Sequence, residues 1–114
     1  MGYTDLVHLD GSIERLVDNN EDAEVDPWEI TNGAAGYNAV SRHVVYAGGV
    51  SKHDGKPLDT RTLEQKKALA DYVRNFHSRF PQIRIVGHNE LNSKKACPSF
   101  DVQEWLRSLG IRQM

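Results

Sequence analysis

Residues 83–110 read IRIVGHNELNSKKACPSFDVQEWLRSLG, and the fold is decided in this stretch. Ile83-Arg84-Ile85-Val86 is a short apolar run ended by Gly87, which predicts a strand. Asp101, with Glu104 three residues on, predicts a capped helix start. Val102, Trp105, Leu106 and Leu109 then recur at helical spacing until Gly110 stops them. His88 and Cys97 lie between the two elements.

Upstream, Thr62 and Gln65 form a capping box ahead of Leu69, Tyr72, Val73, Phe76 and Phe80, which share one helical face. Pro81 closes that helix because it cannot extend the ladder. Val40, Val44, Val45 and Tyr46 predict a strand over 40–47, ended by Gly48-Gly49, with a turn-rich segment from Ser51 to Pro57. From Gly2 to Asp18 the pattern is a hairpin: Leu6-Val7, then Asp10-Gly11, then Ile13 and Leu16. Asp-Gly predicts a two-residue turn with φ > 0 at both positions. Strands alternating with helices give an α/β class, more specifically mixed α+β, with a central mixed sheet flanked by helices.

The 114 residues, 39% of them hydrophobic, make one domain over 1–114. Lys+Arg 14 against Asp+Glu 16 leaves a formal charge of −2, so the basic surplus that drives nucleic-acid binding is missing. No run approaches the roughly 20 apolar residues of a membrane span. A single Cys excludes an internal disulfide. Met1-Gly2-Tyr3-Thr4-Asp5 has neither the basic nor the apolar region of a secretory signal, so synthesis without such a signal is expected. Residues 18–30 carry Asp18, Glu21, Asp22, Glu24, Asp26 and Glu29, and no Lys or Arg occurs from Leu16 to Ser41. Mutual repulsion predicts a solvated acidic loop inserted in the domain. Its spacing is not that of an EF-hand calcium loop.

An imidazole at a strand end and a thiol on the following loop can converge, and both suit Zn²⁺. Lys95, two residues before Cys97, would put a positive charge where it could hold a developing oxyanion. Spacing alone favours a buried, inert Cys beside a surface His and Lys. One His and one Cys do not make a metal site.

His88 with Lys95-Ala96-Cys97-Pro98-Ser99-Phe100-Asp101 resembles the closing motif of the zinc-dependent N-acetylmuramoyl-L-alanine amidases of the bacteriophage-lysozyme type, relatives of the peptidoglycan recognition proteins. Three further stretches agree in order. Gly2-Tyr3 through Asp10-Gly11 resembles the family's Gly-Tyr-His strand and turn. Gly36-Tyr37-Asn38, Ser41 and Gly48-Gly49 resemble the lead into its central strand. Asp59-Thr60-Arg61-Thr62 through Phe80-Pro81 resembles its long helix.

The resemblance implies a groove for peptidoglycan and hydrolysis of the amide between the lactyl group of N-acetylmuramic acid and L-alanine. It implies His88 and Cys97 as zinc ligands, Lys95 as the oxyanion-stabilising group and Tyr3 as a hydrogen-bonding or proton-shuttling group at the reacting water. It also implies the cell wall as site of action, after accumulation in the cytoplasm. Thr4 stands where the family often has a His, and Asn32-Gly33-Ala34-Ala35 lacks a His and a Lys often found there.

The family draws its first zinc His from a strand and helix ahead of the Gly-Tyr element. The expectation here is a domain lacking both, a zinc set one ligand short of the usual three, and an unpaired sheet edge that invites homo-oligomers. His43, on the expected central strand, is the best internal substitute, against a plain role facing Arg42 or solvent. His8, His53 and His77 have no motif reason to reach Cys97; His77 is expected on the polar face of its helix. An amidase stands first among functions. A non-catalytic remnant that binds peptidoglycan or a partner is the alternative, and a structural remnant that dimerises is the third.

Overall fold

The computed structural model describes residues 3–19, 22, 24–33, 36–38 and 41–113. Three short strands form one sheet in the order β2-β1-β3: β1 is Asp5–Val7, β2 is Ile13–Arg15 and β3 is Val44–Tyr46. β1 pairs antiparallel with β2, setting Val7 opposite Ile13, and parallel with β3, setting Val7 opposite Tyr46. Helices α1 (Leu63–Arg79), α2 (His88–Leu91) and α3 (Val102–Ser108) follow. The mixed α+β class read from the sequence is the class observed. Gly2, Glu21, Ala34, Ala35 and Val40, which figured in the sequence readings, lie outside the described residues.

The hairpin forms where Asp10-Gly11 predicted it, but with a different turn. Only Gly11 has positive φ, +87°. Gly11 N–H donates to His8 O at 2.9 Å, and Asp10 Oδ1 accepts from both Ser12 N–H (2.9 Å) and Ser12 Oγ (2.6 Å). Asp10 therefore works as an acceptor that folds the chain back and leaves the left-handed residue to glycine. The tip rests on the start of α1. Thr62 Oγ1 donates to Leu9 O at 2.7 Å, and a Cβ on Gly11 would meet Glu64 O at 2.8 Å.

The predicted capping box of α1 is present: Gln65 N–H donates to Thr62 Oγ1 (3.0 Å) and Thr62 N–H to Gln65 Oε1 (2.9 Å). Gln65 is itself fully buried, and its amide also reaches Val7 O and Ala47 O at 3.3 and 2.8 Å. One side chain thus caps the helix and ties it to two strands. Val7, Tyr46 and Leu69 form one core patch; Val73, Val102, Leu106 and Ile111 form another. Phe100 and Trp105 pack against both patches, edge to face at 5.6 Å between centroids. α3 is capped as predicted, Glu104 N–H donating to Asp101 Oδ1 at 3.0 Å, and Gly110 ends it at φ +78°.

Two expectations are corrected. Residues 83–86 are not a strand. The main chain of Ile85 is satisfied by side chains: its N–H donates to Gln113 Oε1 (2.6 Å), and its carbonyl accepts from Gln103 Nε2 (2.9 Å) and Gln113 Nε2 (2.8 Å). Glutamine amides here replace the ladder a neighbouring strand would supply.

The acidic segment is also not simply solvated. Pro27–Glu29 forms a 3₁₀ turn, and Glu29 is buried at 1% exposure. Arg42 meets Glu29 Oε2 at 3.0 Å and also bonds Asp22 Oδ1 at 3.2 Å, the Asp22 carbonyl and Glu24 O. The first cation after the acidic run pins it to the sheet.

Candidate functional site

His88 is the first residue of α2, half-buried, rather than the end of a strand. Its position is set by Gly87, where a Cβ would lie 2.6 Å from Asn89 Oδ1 and 2.9 Å from Val102 Cγ2. Glu90 reaches back to accept from Gly87 N–H at 2.6 Å. Beyond Leu91 the chain turns twice, Lys95 N–H bonding Asn92 O (3.0 Å) and Ser99 N–H bonding Ala96 O (2.7 Å). Asn89 N–H donates to Cys97 O at 2.8 Å. That bond closes the loop and brings the Cys97 backbone beside the residue after His88. Cys97 and Lys95 are exposed on it.

Two side chains that the sequence reading did not single out hold this loop against the sheet. Tyr46 Oη donates to Pro98 O at 2.7 Å, next to the cis Cys97–Pro98 peptide. Burial first, and then the charge of Asp59, hold the Tyr46 phenol neutral above its ordinary range. Ser99 sits at φ 72°, uncommon for a residue with a Cβ, and its Oγ donates to Gly49 O at 2.8 Å. The only sequence signals for these roles are an aromatic at a strand end and a serine after Pro98.

Below the loop, Arg61 lies over the Phe100 ring at 3.5 Å and makes a two-pronged bond to Asp59, 2.9 Å on each prong. Those bonds draw the Asp59 carboxyl below the usual range. An open groove of about 670 Å³ adjoins the loop, lined in part by Asn89, Glu90, Gln103 and Arg107.

Tyr3 stands just ahead of β1 and is 40% exposed. Thr4, the next residue, is buried; its N–H donates to His43 O at 2.7 Å and its Oγ1 accepts from His43 N–H at 3.2 Å. The residue standing where relatives of the resembled family often have His is thus used to join β1 to the approach of β3. His43 hides its Nε2 from solvent rather than turning it outward. Its Nδ1 is 2.6 Å from Oγ1 of the fully buried Thr31, and its ring lies so close over Gly33 that a Cβ there would be 2.4 Å from Cγ. Nε2 is buried with no hydrogen-bond partner among the described residues. Burial, and then the neighbouring charge of His88, lower the basicity of His43.

Of the other histidines, His8 pairs with Glu14 at 2.9 Å and His53 is exposed. His77 is half-buried, Nδ1 hidden, and so is not on the polar face expected for it.

The structure therefore joins the His88 and Cys97 segments and puts Lys95 on the same loop. The donor chemistry of His88 and Cys97 suits zinc. Among the described residues, however, no group of three or more His, Cys, Asp or Glu side chains is disposed to hold a metal ion. No helix among them is long and apolar enough to cross a membrane.

The chain is 30% identical over 108 residues to the endolysin of Enterobacteria phage K11, an alignment covering 95% of this chain and 65% of that protein. It is 28% identical over 105 residues to the endolysin of Klebsiella phage KP32, covering 92% and 63%. The chain spans less than two thirds of the length of either relative. No family model matches it, and no solved structure does.

Proposed function

We propose that this domain is a peptidoglycan hydrolase of the amidase type, cutting the bond between the lactyl group of N-acetylmuramic acid and L-alanine, with His88 and Cys97 as zinc ligands. The observation that carries the reading is the Asn89 N–H···O=C Cys97 bond, which holds the two ligand-bearing segments together. Similarity to phage endolysins along nearly the whole chain supports action on the cell wall.

Zinc, when bound, supplies a Lewis acid for the scissile carbonyl and acidifies water. The family resemblance assigns the chain's own contributions, and the exposure of the side chains supports them. Lys95 is exposed two residues from Cys97, so its ammonium can approach the carbonyl oxygen as negative charge develops there. Tyr3, exposed ahead of β1, offers a phenol that can hydrogen-bond the attacking water. The groove beside α2 and α3 offers amide, carboxylate and guanidinium groups to the polar glycan and stem peptide.

The test is incubation of purified sacculi with the protein and Zn²⁺. Amidase action releases peptides with a new L-alanine amino group and generates no reducing sugar ends. New reducing ends without new amino groups would instead identify a glycan-cleaving enzyme. The lack of a three-donor group among the described residues favours a second reading, a domain that binds peptidoglycan without cleaving it. Co-sedimentation with sacculi and no released amino groups is the result it predicts.

A further inference from the structure

We propose that Ser99 is a positioning residue that aims the Cys97 thiol; the inference rests on the proposed role of Cys97 in the amidase reaction. Among the described residues Ser99 is the only one carrying a Cβ at positive φ, 72°. That conformation disfavours a residue with a side chain, whereas glycine adopts it freely. What serine adds is a hydroxyl. Its Oγ donates to Gly49 O at 2.8 Å, a bond glycine cannot make. Backbone outliers of this kind persist where the surroundings over-determine them, and they gather at functional sites.

The accepting carbonyl is itself fixed. Gly49 N–H donates to Thr60 Oγ1 at 2.7 Å, and Gly49 O also accepts from Leu58 N–H at 3.0 Å. The hydroxyls of Ser99 and Tyr46 converge here. A Cβ on Gly49 would stand 3.7 Å from Ser99 Oγ and 3.5 Å from Tyr46 Oη. Ser99 thus ties the loop to the connection between β3 and α1.

The consequence falls on Cys97. Its carbonyl accepts from Asn89 N–H at 2.8 Å, and Pro98 O accepts from the Tyr46 phenol at 2.7 Å. Ser99 N–H donates to Ala96 O at 2.7 Å, and Phe100 packs against both core patches. The chain from Cys97 to Phe100 is fastened residue by residue, while the Cys97 side chain is left exposed. Stability alone is served as well by glycine, which gives up the bond and the strain together. Fastening the main chain on both sides of Cys97 fixes where its one free side chain can point, as a reacting or ligating group requires. Asn89 is the inner anchor of that aim and Ser99 the outer one.

Cys97 is the chain's single cysteine, so a nitroxide attached to it reports on the loop without further substitution. The experiment compares wild type, Ser99→Gly and Leu109→Ala. Labelled proteins are followed by electron paramagnetic resonance, and unlabelled ones by turnover of sacculi with Zn²⁺. Ser99→Gly accepts the same backbone conformation and loses the hydroxyl bond. Leu109→Ala loosens the core at the end of α3 instead. Ser99→Gly should narrow the nitroxide lines and lower kcat on the order of 10- to 100-fold, with KM within about twofold. Leu109→Ala should lower the melting temperature more and leave line shape and kcat at wild-type values. In a wild type that cleaves sacculi, unchanged lines in Ser99→Gly overturn the inference alone, and so do narrowed lines with wild-type kcat. An equal loss of kcat in Leu109→Ala marks plain destabilisation and sinks it too. A wild type that releases no amino groups overturns the amidase reading and this inference with it.

Discussion

The phenol of Tyr46 donates to the carbonyl of Pro98 at 2.7 Å, fastening the loop that carries Cys97 to the end of β3. Tyr46→Phe removes that bond and the hydroxyl's contact with the Thr60 main chain, while the ring keeps its place beside Val7 and Leu69. The expected loss is about 1 kcal/mol, or roughly 4 °C in melting temperature. Hydrogen exchange should localise it: the Asn89 amide, bonded to Cys97 O, should exchange faster, while amides of the β1–β2 pair keep their rates.

Tyr72 donates to the buried carboxylate of Asp5 at 2.8 Å. Burial first, and then the Asp5 charge, hold this phenol neutral well above the ordinary 10.0 of tyrosine. Above pH 10 the unfolded chain therefore releases a proton that the folded chain retains, so stability is full below that point and falls as pH rises. Tyr72→Phe should flatten the fall between roughly pH 9.5 and 11, leaving the lesser share of Tyr46. At pH 7 it should cost about 1–3 kcal/mol, because Asp5 loses a donor while staying buried. Melting temperature against pH for both proteins checks both statements.

Arg42 and Glu29 form an ion pair in which the glutamate side chain has 0% exposure and the arginine side chain 14%. Arg42→Met should cost about 3–5 kcal/mol by taking the cation away from that buried carboxylate. The double variant with Glu29→Gln should be less damaged than Arg42→Met alone, since the desolvated charge goes with its partner. A double-mutant cycle by urea unfolding measures the difference; additive losses would refute the coupling.

Arg61 is gripped from two sides, by Asp59 and by the Phe100 ring. Arg61→Lys keeps the charge but loses the planar fork and the stacked face, so a loss of about 1–2 kcal/mol is expected. Because Phe100 packs against both core patches, near-ultraviolet circular dichroism from Trp105, its edge-to-face neighbour, should change too.

What could be read in advance was what short-range chemistry decides. The hairpin followed from Asp10-Gly11, the start of α1 from Thr62 and Gln65, and the start of α3 from Asp101, because each signal acts across two to four residues. The misread strand at 83–86 shows the limit. Its β-branched residues are real, but the partners of Ile85 are Gln103 and Gln113, which no local pattern announces. Glu29 reads as one more surface acid until Arg42 is set against it. At the site, the Cys97 motif was legible as a resemblance, whereas the setting of His43 depends on Thr31 and Gly33, brought together only by folding.

The contact between Gly11 and the first turn of α1 decides where foreign sequence can be spliced into this chain. A fluorophore or affinity tag grafted at the hairpin tip would act as a wedge, prying the sheet away from its helix. The same graft at Gly55, which has nothing within 4 Å of where a Cβ would stand, would hang clear of its neighbours, its cost confined to the +68° backbone angle that a side chain there must adopt.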